Sequence, residues 1–293
     1  MDFRSDETQV AISRLAAEVV AGADTPERLW KDLGQAGLLT LTVPESRGGG
    51  GLGILETSFV LHEIGRRAAA LPALAADGPA LTVLDPHQDQ IPGVRMDAAH
   101  HAGQHPLVVA AACALADGAL AGALDLTAGH VRTRHQFGRP LATFQAVAQQ
   151  IADVYIAART LHLAVLSACW HLSTTRPAAA SGNAAASGNA AASGNAAASG
   201  NAAASGSAAP AGTSAADASG SAAGDALAVA VQWLTAEAPP AVRTCHHLHG
   251  GLGLMIDYPL HRHTALIRTV VRFLGGAEHA LTTLGERCVP RPD

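Results

Sequence analysis

The sequence predicts an all-α protein, on three observations. Apolar residues recur at helical spacing in several segments, with alternating steps of three and four over 143–171, and no convincing strand pair is found. The chain has 293 residues, of which 48% are hydrophobic but only 3% aromatic, so its core must consist mainly of Ala, Leu and Val. Small aliphatic side chains suit closely approaching helices. We therefore expect a helical N-terminal segment followed by a C-terminal domain resembling a four-helix bundle.

Residues 1–75 are predicted to form the helical N-terminal segment. Thr25-Pro26-Glu27 is typical of a helix start, because it provides a capping hydroxyl, a proline at the first helical position and an acid in the first turn. Gly37 should end that helix. Helices are predicted over 6–22, 26–36 and 54–69, joined by an extended stretch over 38–44 and a flexible turn over 46–53.

Residues 106–293 are predicted to form the C-terminal bundle, after an irregular connector over 76–105. One helix carries an apolar seam suited to a partner helix and therefore a candidate for a subunit interface. The seam consists of Phe144, Val147, Ile151, Val154, Ala158, Leu161, Val165 and Ala168. Helices are predicted over 106–132, 143–171, 225–238, 241–248, 261–272 and 276–287, with Pro239-Pro240 as a break between the third and fourth of them.

The bundle is interrupted by a low-complexity segment. From Ala178 to Ser207 the chain repeats AAASGN four times and then reads AAASGS, and similar composition continues to about Gly224. Alanine favours a helix, but the recurring Ser-Gly-Asn interrupts it, and no side chain here buries much apolar area. We predict a flexible linker or surface loop over 177–224. A short Ala-rich helical array is the alternative.

Charge and cysteine content restrict the class of protein. The net charge is −5 and there is no basic run, which argues against a nucleic-acid partner. The four cysteines form no C-x-x-C pair, which is typical of reduced thiols in the cytoplasm. We identified no apolar run of about 20 residues and no signal sequence, so we expect a cytoplasmic protein without a membrane span.

The most informative stretch is RHQFGRPLATFQ, from Arg134 to Gln145. It resembles the R-x-Q-F-G-x-P-(I/L)-x-x-F-Q signature of the acyl-CoA dehydrogenases, flavoenzymes that remove two hydrogens from the Cα–Cβ bond of a thioester. A guanidinium group fits phosphate because it presents a planar fork of donors and stays charged. In the family this arginine binds the FAD pyrophosphate and the phenylalanine packs beside the flavin. The resemblance implies FAD contacts from Arg134, Gln136, Phe137 and Gly138.

A second resemblance lies about a hundred residues later. HLHGGLG, beginning at His247, resembles the Q-(I/L)-H-G-G-x-G turn of the family, and DYPLHR, beginning at Asp257, resembles its E/D-Y-P-(V/L)-E-R/K string. In the family this turn approaches the adenosine diphosphate end of FAD, and a Cβ would block that approach. The resemblance implies cofactor contacts from His247, Gly250, Gly251 and Gly253. A histidine here replaces the usual glutamine.

Two features of the family are missing. Its glutamate base, which takes the α-proton, aligns with Leu274, and an alternative base position on the preceding long helix falls near Val108. We therefore predict no catalytic residue; the alternative is that Glu278, four residues after Leu274, is a relocated base. The connector over 76–105 also replaces a β-barrel-like middle domain, and about 30 residues are too few for a closed barrel.

Histidines near the second motif could suggest a metal. They are His246, His247, His249, His261 and His263. No carboxylate or cysteine completes a recognised ligand spacing, so we predict no metal site.

The resemblance implies a division of labour between subunits. We interpret the chain as the short, non-catalytic subunit of a heteromeric acyl-CoA dehydrogenase, similar to those in actinobacterial steroid and branched acyl-CoA degradation. FAD would be shared across the interface with a full-length paralogue, and that partner would hold most of the acyl-CoA. The alternatives are a non-redox helical scaffold or regulatory binder derived from the family, and a self-sufficient enzyme that uses Glu278.

Overall fold

The computed structural model describes residues 5–69, 106–174 and 215–289. These residues form α1 (Glu7–Gly22), α2 (Pro26–Gln35), α3 (Ile54–Arg66), α4 (Pro106–Thr133), α5 (Gln145–Thr174), α6 (Ala215–His249), α7 (Leu260–Phe273) and α8 (Gly276–Cys288). Short 3₁₀ helices lie at Glu45–Arg47, Leu141–Thr143 and Gly250–Leu254. The all-α fold class is confirmed. The predicted connector over 76–105, and the linker up to residue 214, lie outside the described residues.

The N-terminal helices begin where their capping residues predict. Thr25 Oγ1 accepts the backbone N–H of Arg28 at 3.2 Å, and Pro26 is the first residue of α2. In α1, Asp6 and Gln9 form a capping box, in which each side chain accepts the other residue's backbone N–H. Such reciprocal pairs satisfy amide groups that have no partner inside the helix.

Helix α4 is the centre of the bundle. Every residue from Val108 to Leu120 is buried, and α3, α5, α6 and α7 all pack against this helix. Contact with α3 is close because glycines face the opposing backbone. A Cβ on Gly65 would overlap the carbonyl oxygen of Leu115, and one on Gly118 would overlap that of His62. The α3–α4 crossing is therefore a backbone-to-backbone contact.

Helices α4 and α5 are both long and apolar enough, by length and composition alone, to cross a membrane. The prediction that the chain has no apolar run of about 20 residues was therefore wrong for these two helices. In α4, 83% of the most apolar 18-residue stretch is buried inside the bundle, as in the core helix of many globular proteins. In α5, only 33% of the corresponding stretch is buried. The apolar length of α4 is thus accounted for by its central position, whereas α5 keeps a large uncovered surface.

Helix α6 corrects two predictions. It begins at Ala215, inside the predicted linker, and it continues through Pro239 and Pro240, where a break was expected. Asp225 of α6 accepts a hydrogen bond from Nε of Arg287 on α8 at 2.7 Å, which ties the two helices together. Each internal proline removes one backbone hydrogen bond. Buried neighbours on both sides offset that loss; they include Leu234, Ala238, Ala241 and Val242.

The predicted seam of α5 packs within the chain. Val154, Leu161 and Val165 are buried in the common core, and Trp233 Nε1 of α6 donates to the carbonyl oxygen of Ala157 at 3.1 Å. That stretch of the seam is therefore not free to be a subunit interface. Two smaller predictions were also wrong. Residues 38–44 form hydrogen-bonded turns, and a two-stranded antiparallel hairpin is present, β1 (His135–Gln136) and β2 (Arg139–Pro140).

Candidate functional site

The first motif forms a tight hairpin at the end of α4. Phe137 and Gly138 occupy its two-residue loop, with φ angles of 52° and 79°. Such a loop matches the twist of paired strands when both residues have positive φ. For a phenylalanine this conformation costs roughly 1–2 kcal/mol. The residue is 91% exposed, so packing within the chain offsets little of this cost. A strained backbone that holds an aromatic ring in solvent indicates a binding role for that ring.

Contacts within the motif hold the hairpin in place. The backbone N–H of Leu141 donates to the carbonyl oxygen of Arg134 at 2.8 Å. The Arg139 guanidinium lies 4.0 Å from the centre of the Phe144 ring, and the Phe137 and Phe144 rings meet edge to face at 6.2 Å. These contacts place two aromatic rings and the Arg139 guanidinium on one small surface next to the exposed Arg134, where an anionic ligand with planar rings could bind.

The structure brings the two motifs together at this end of the bundle. His130, one turn before Arg134, stacks on His249 with ring centres 4.5 Å apart. His249 Nε2 lies 2.9 Å from the Tyr258 hydroxyl, and its Nδ1 lies 2.8 Å from the carbonyl oxygen of Cys245. Burial lowers the pKa of His130, and the charge of Arg134 lowers it further. Burial likewise lowers the pKa of His249, and nearby His130 adds to this. The positive charge here comes from arginines.

The glycine turn has an open side and a packed side. Gly250 has a φ of 58°, and a Cβ on Gly250 or Gly251 would meet nothing within 4 Å. At Gly253 a Cβ would lie 3.0 Å from the Cβ of His249, a tight contact, so this glycine faces the turn itself. His247 is exposed. Of the four predicted contacts in this motif, His247, Gly250 and Gly251 are therefore reachable by a ligand, and Gly253 shapes the turn.

No carboxylate occupies the predicted base positions. Leu274 is 7% exposed and belongs to the core, and Val108 is 1% exposed. Glu278 is exposed in the first turn of α8. The side chains of Leu274 and Glu278 thus have different surroundings, one packed in the core and the other facing water.

A polar cluster that the sequence analysis missed lies farther back along α4. Asp117 Oδ2 lies 2.8 Å from Nδ1 of His62 on α3 and 2.8 Å from Nδ1 of His162 on α5. Burial alone would raise the pKa of Asp117, but the hydrogen bonds from His162 and His62 outweigh it and lower the pKa. One signal was available: Asp117 is the only charged residue between Pro106 and Leu124. Its partners are 55 and 45 positions away, so no local spacing revealed them.

Comparison with known proteins relates both halves of the chain to one family. Residues 6–83 match the acyl-CoA dehydrogenase N-terminal domain, and residues 108–204 match the C-terminal domain. Acyl-CoA dehydrogenase FadE28 of Mycobacterium tuberculosis is 30% identical over 98% of this chain and 99% of its own length. Acyl-CoA dehydrogenase FadE27 of the same organism is 23% identical, with full coverage of both chains.

The fold has solved counterparts. In the crystal structure of the ChsE4-ChsE5 complex from Mycobacterium tuberculosis, a chain superposes with a TM-score of 0.68 at 22% identity, with full coverage of both chains. Butyryl-CoA dehydrogenase from Megasphaera elsdenii superposes with a TM-score of 0.65 at 12% identity. At such identities the likeness concerns the fold alone.

Proposed function

Because the chain belongs to the acyl-CoA dehydrogenase family, we propose that it is the non-catalytic subunit of a heteromeric, FAD-dependent acyl-CoA dehydrogenase. It would complete the FAD site of a full-length paralogue, which supplies the base and most of the acyl-CoA pocket. The observation that carries the proposal is the contrast between the two sites. The motif from Arg134 to Gln145 forms a strained and exposed hairpin, whereas a core leucine, Leu274, stands at the base position.

The residues at the hairpin and the glycine turn fit FAD. Arg134 offers an exposed guanidinium for a pyrophosphate, and the Phe137 ring offers an exposed face for a planar ring system. Gly250 and Gly251 leave open space beside their backbones, where a bulky nucleotide could approach. Bound FAD would supply the acceptor for the hydride that leaves the β-carbon of an acyl-CoA. The role of this chain would be to bind and orient the cofactor.

Exposed apolar side chains also support a protein partner. Leu254 and Ile256, which follow the glycine turn, are 79% and 75% exposed. On α5, Tyr155 and Ile156 are 57% and 58% exposed, on the side away from the buried seam. Apolar side chains clustered in the open usually mark an interaction surface. The structural neighbour ChsE4-ChsE5 is a complex of two different proteins, which supports a heteromer for this chain.

The relatives of the chain suggest a substrate class, and its cysteines suggest a compartment. FadE28 and FadE27 are acyl-CoA dehydrogenases, and a further structural neighbour is described as a steroid acyl-CoA dehydrogenase pair, so we propose a fatty or steroid-derived acyl-CoA thioester. All four cysteines are free thiols, three of them buried, which supports a reducing cytoplasm as the compartment.

Co-expression with a full-length paralogue tests the proposal. We expect the purified pair to retain flavin and oxidise an acyl-CoA, and this chain alone to do neither. Arg134→Ala should weaken flavin retention by the pair about 10- to 100-fold, because a charge-assisted hydrogen bond contributes about 1.5–3 kcal/mol. The measurements are the visible flavin spectrum of the purified complex and its flavin-to-protein ratio over a dilution series.

Two control variants separate the alternatives. Arg14→Ala removes an exposed arginine on α1 and should leave flavin retention unchanged. Glu278→Gln should leave the activity of the pair unchanged. Flavin and activity in this chain alone, lost in Glu278→Gln, would contradict the proposal in favour of a self-sufficient enzyme. A stable pair without flavin in either chain would instead favour the scaffold function.

A further inference from the structure

The cluster of His62, Asp117 and His162 lies apart from the surface assigned to FAD. Asp117 lies on α4, and Arg134 follows it by 17 positions, directly after the end of that helix; this separation corresponds to roughly 25 Å along a helix axis. The three residues come from three different helices, α3, α4 and α5. The cluster is therefore a separate site from the hairpin and the glycine turn.

We propose that these three residues bind a divalent transition-metal ion, with zinc as the best-fitting one. One ligand atom from each residue lies within 4.8 Å of the other two, which is compact enough for a single ion to reach all three. Zinc bonds of about 2.0–2.2 Å place tetrahedral ligand atoms about 3.4 Å apart. The present 2.8 Å separations of Nδ1 and Oδ2 need to open by only about half an ångström to reach that spacing.

The second observation is an unsatisfied oxygen. The Asp117 side chain is 3% exposed, and its Oδ1 is buried without a hydrogen-bond partner in the described part of the chain. Leaving such an atom unpaired is unfavourable for folding. Both histidines converge on Oδ2 alone, so protein groups use only half of the carboxylate. A cation between the carboxylate and the two imidazole rings could be coordinated by either oxygen.

The surrounding charges also favour a dication. Glu63 is 8% exposed and lies close enough to His62 to influence it electrostatically. Arg66 lies 2.7 Å from Asp125 and 3.9 Å from Glu63, so its single positive charge is shared between two carboxylates and offsets Glu63 only in part. Two neutral imidazoles, one carboxylate and a second carboxylate nearby would balance a charge of +2.

Two imidazoles and a carboxylate are typical ligands of zinc. The His62 and His162 side chains are 18% and 22% exposed, so an ion can enter from solvent. Three protein ligands also leave one position of a tetrahedral ion for water. The ion would join α3 and α5 to the buried α4. We therefore expect the bound ion to increase the stability of the bundle.

Zinc binding to the full chain, purified without a histidine tag and freed of metal with a chelator, tests this proposal. We expect one zinc ion per chain by elemental analysis after equilibrium dialysis. At zinc concentrations far above the dissociation constant, we expect the melting temperature to rise by about 5 °C. Cobalt should give the visible bands of a low-symmetry site with nitrogen and oxygen ligands.

Variants locate the ion. His162→Gln and His62→Gln should each weaken zinc binding at least about tenfold and abolish the thermal shift. Both side chains are partly exposed, so both variants are expected to fold. His171→Gln, on the same helix as His162, is the matched control and should bind zinc like the native chain. Equal zinc binding and thermal shift in His162→Gln and the native chain would overturn the proposal. So would the lack of a saturable site, or of the cobalt bands, in the native chain.

Discussion

Gly118→Val is expected to destabilise the bundle by about 4 kcal/mol, which is a large fraction of the stability of an ordinary domain. Gly118 lies where α4 crosses α3, and any Cβ there would overlap the carbonyl oxygen of His62. Backbone atoms cannot rotate away as a flexible side chain can, so one helix must shift. Such a shift would open the best-packed part of the core. Thermal and urea unfolding, followed by circular dichroism, would measure the loss.

Gly129→Ala is the matched control for this prediction. It lies on the same helix, is exposed, and would place its Cβ in open space. Without a steric cost, alanine should stabilise the helix by up to about 1 kcal/mol relative to glycine. Gly118→Ala gains the same helical preference but still places a Cβ against His62, so it should be destabilising. If Gly118→Ala and Gly129→Ala were equally stable, the close crossing of α3 and α4 would be wrong.

The same crossing explains how the polar cluster forms. Aspartate has a short side chain, and Asp117 Oδ2 reaches His62 on the neighbouring helix because Gly118 lets the two backbones approach. We therefore expect Gly118→Ala to weaken zinc binding too, even though this residue offers no ligand atom. The glycine and the cluster are thus parts of one structural arrangement.

The sequence predicted the features that depend on local patterns. Helical spacing and the Thr25-Pro26-Glu27 start located α1 and α2, because caps and amphipathic faces act within a few residues. The two motifs also predicted residues that the fold brings to one end of the bundle. The spacing of the motifs did not show that the stacked rings of His130 and His249 connect them, since these two histidines are far apart in sequence.

Features that depend on distant packing were not predictable in this way. Pro239-Pro240 predicts a break on local grounds, but α6 continues because its neighbours are buried on both sides. The apolar seam of α5 was correctly identified as a packed face. Periodicity could not show that the covering helices belong to the same chain, because a pattern reports burial and not the partner. His62 and His162 could be assigned to Asp117 only from the tertiary structure.

Acid is expected to destabilise the protein through His263 on α7. This side chain is 3% exposed, and its Nδ1 is buried without a hydrogen-bond partner among the described residues. Burial lowers the pKa of His263 to about 4, and the charges of Arg262 and His261 act in the same direction. The Ala119 backbone and Asp125 oppose this shift but do not overcome it. The folded chain therefore keeps this imidazole neutral at a pH where an unfolded chain would protonate it.

The direction of the effect follows from proton binding. A histidine in the unfolded chain has a pKa of about 6.5. Between pH 6.5 and pH 4 the unfolded chain binds a proton that the folded chain does not, so stability falls as the pH falls through this window. The total loss from this one group is on the order of 3 kcal/mol. Above pH 6.5 its contribution is complete and does not change.

His263→Met should remove this part of the pH dependence, because methionine fills a similar buried space and does not titrate. Urea unfolding at several pH values between 4 and 7 gives the slope of the free energy of unfolding against pH. Carboxylates titrate in both proteins, so the difference between their slopes isolates His263. His279→Gln, at an exposed position of α8, should keep the slope of the native chain. Equal slopes for His263→Met and the native chain would show that His263 is not kept neutral by burial, and that α7 packs less tightly against α4 than the structure shows.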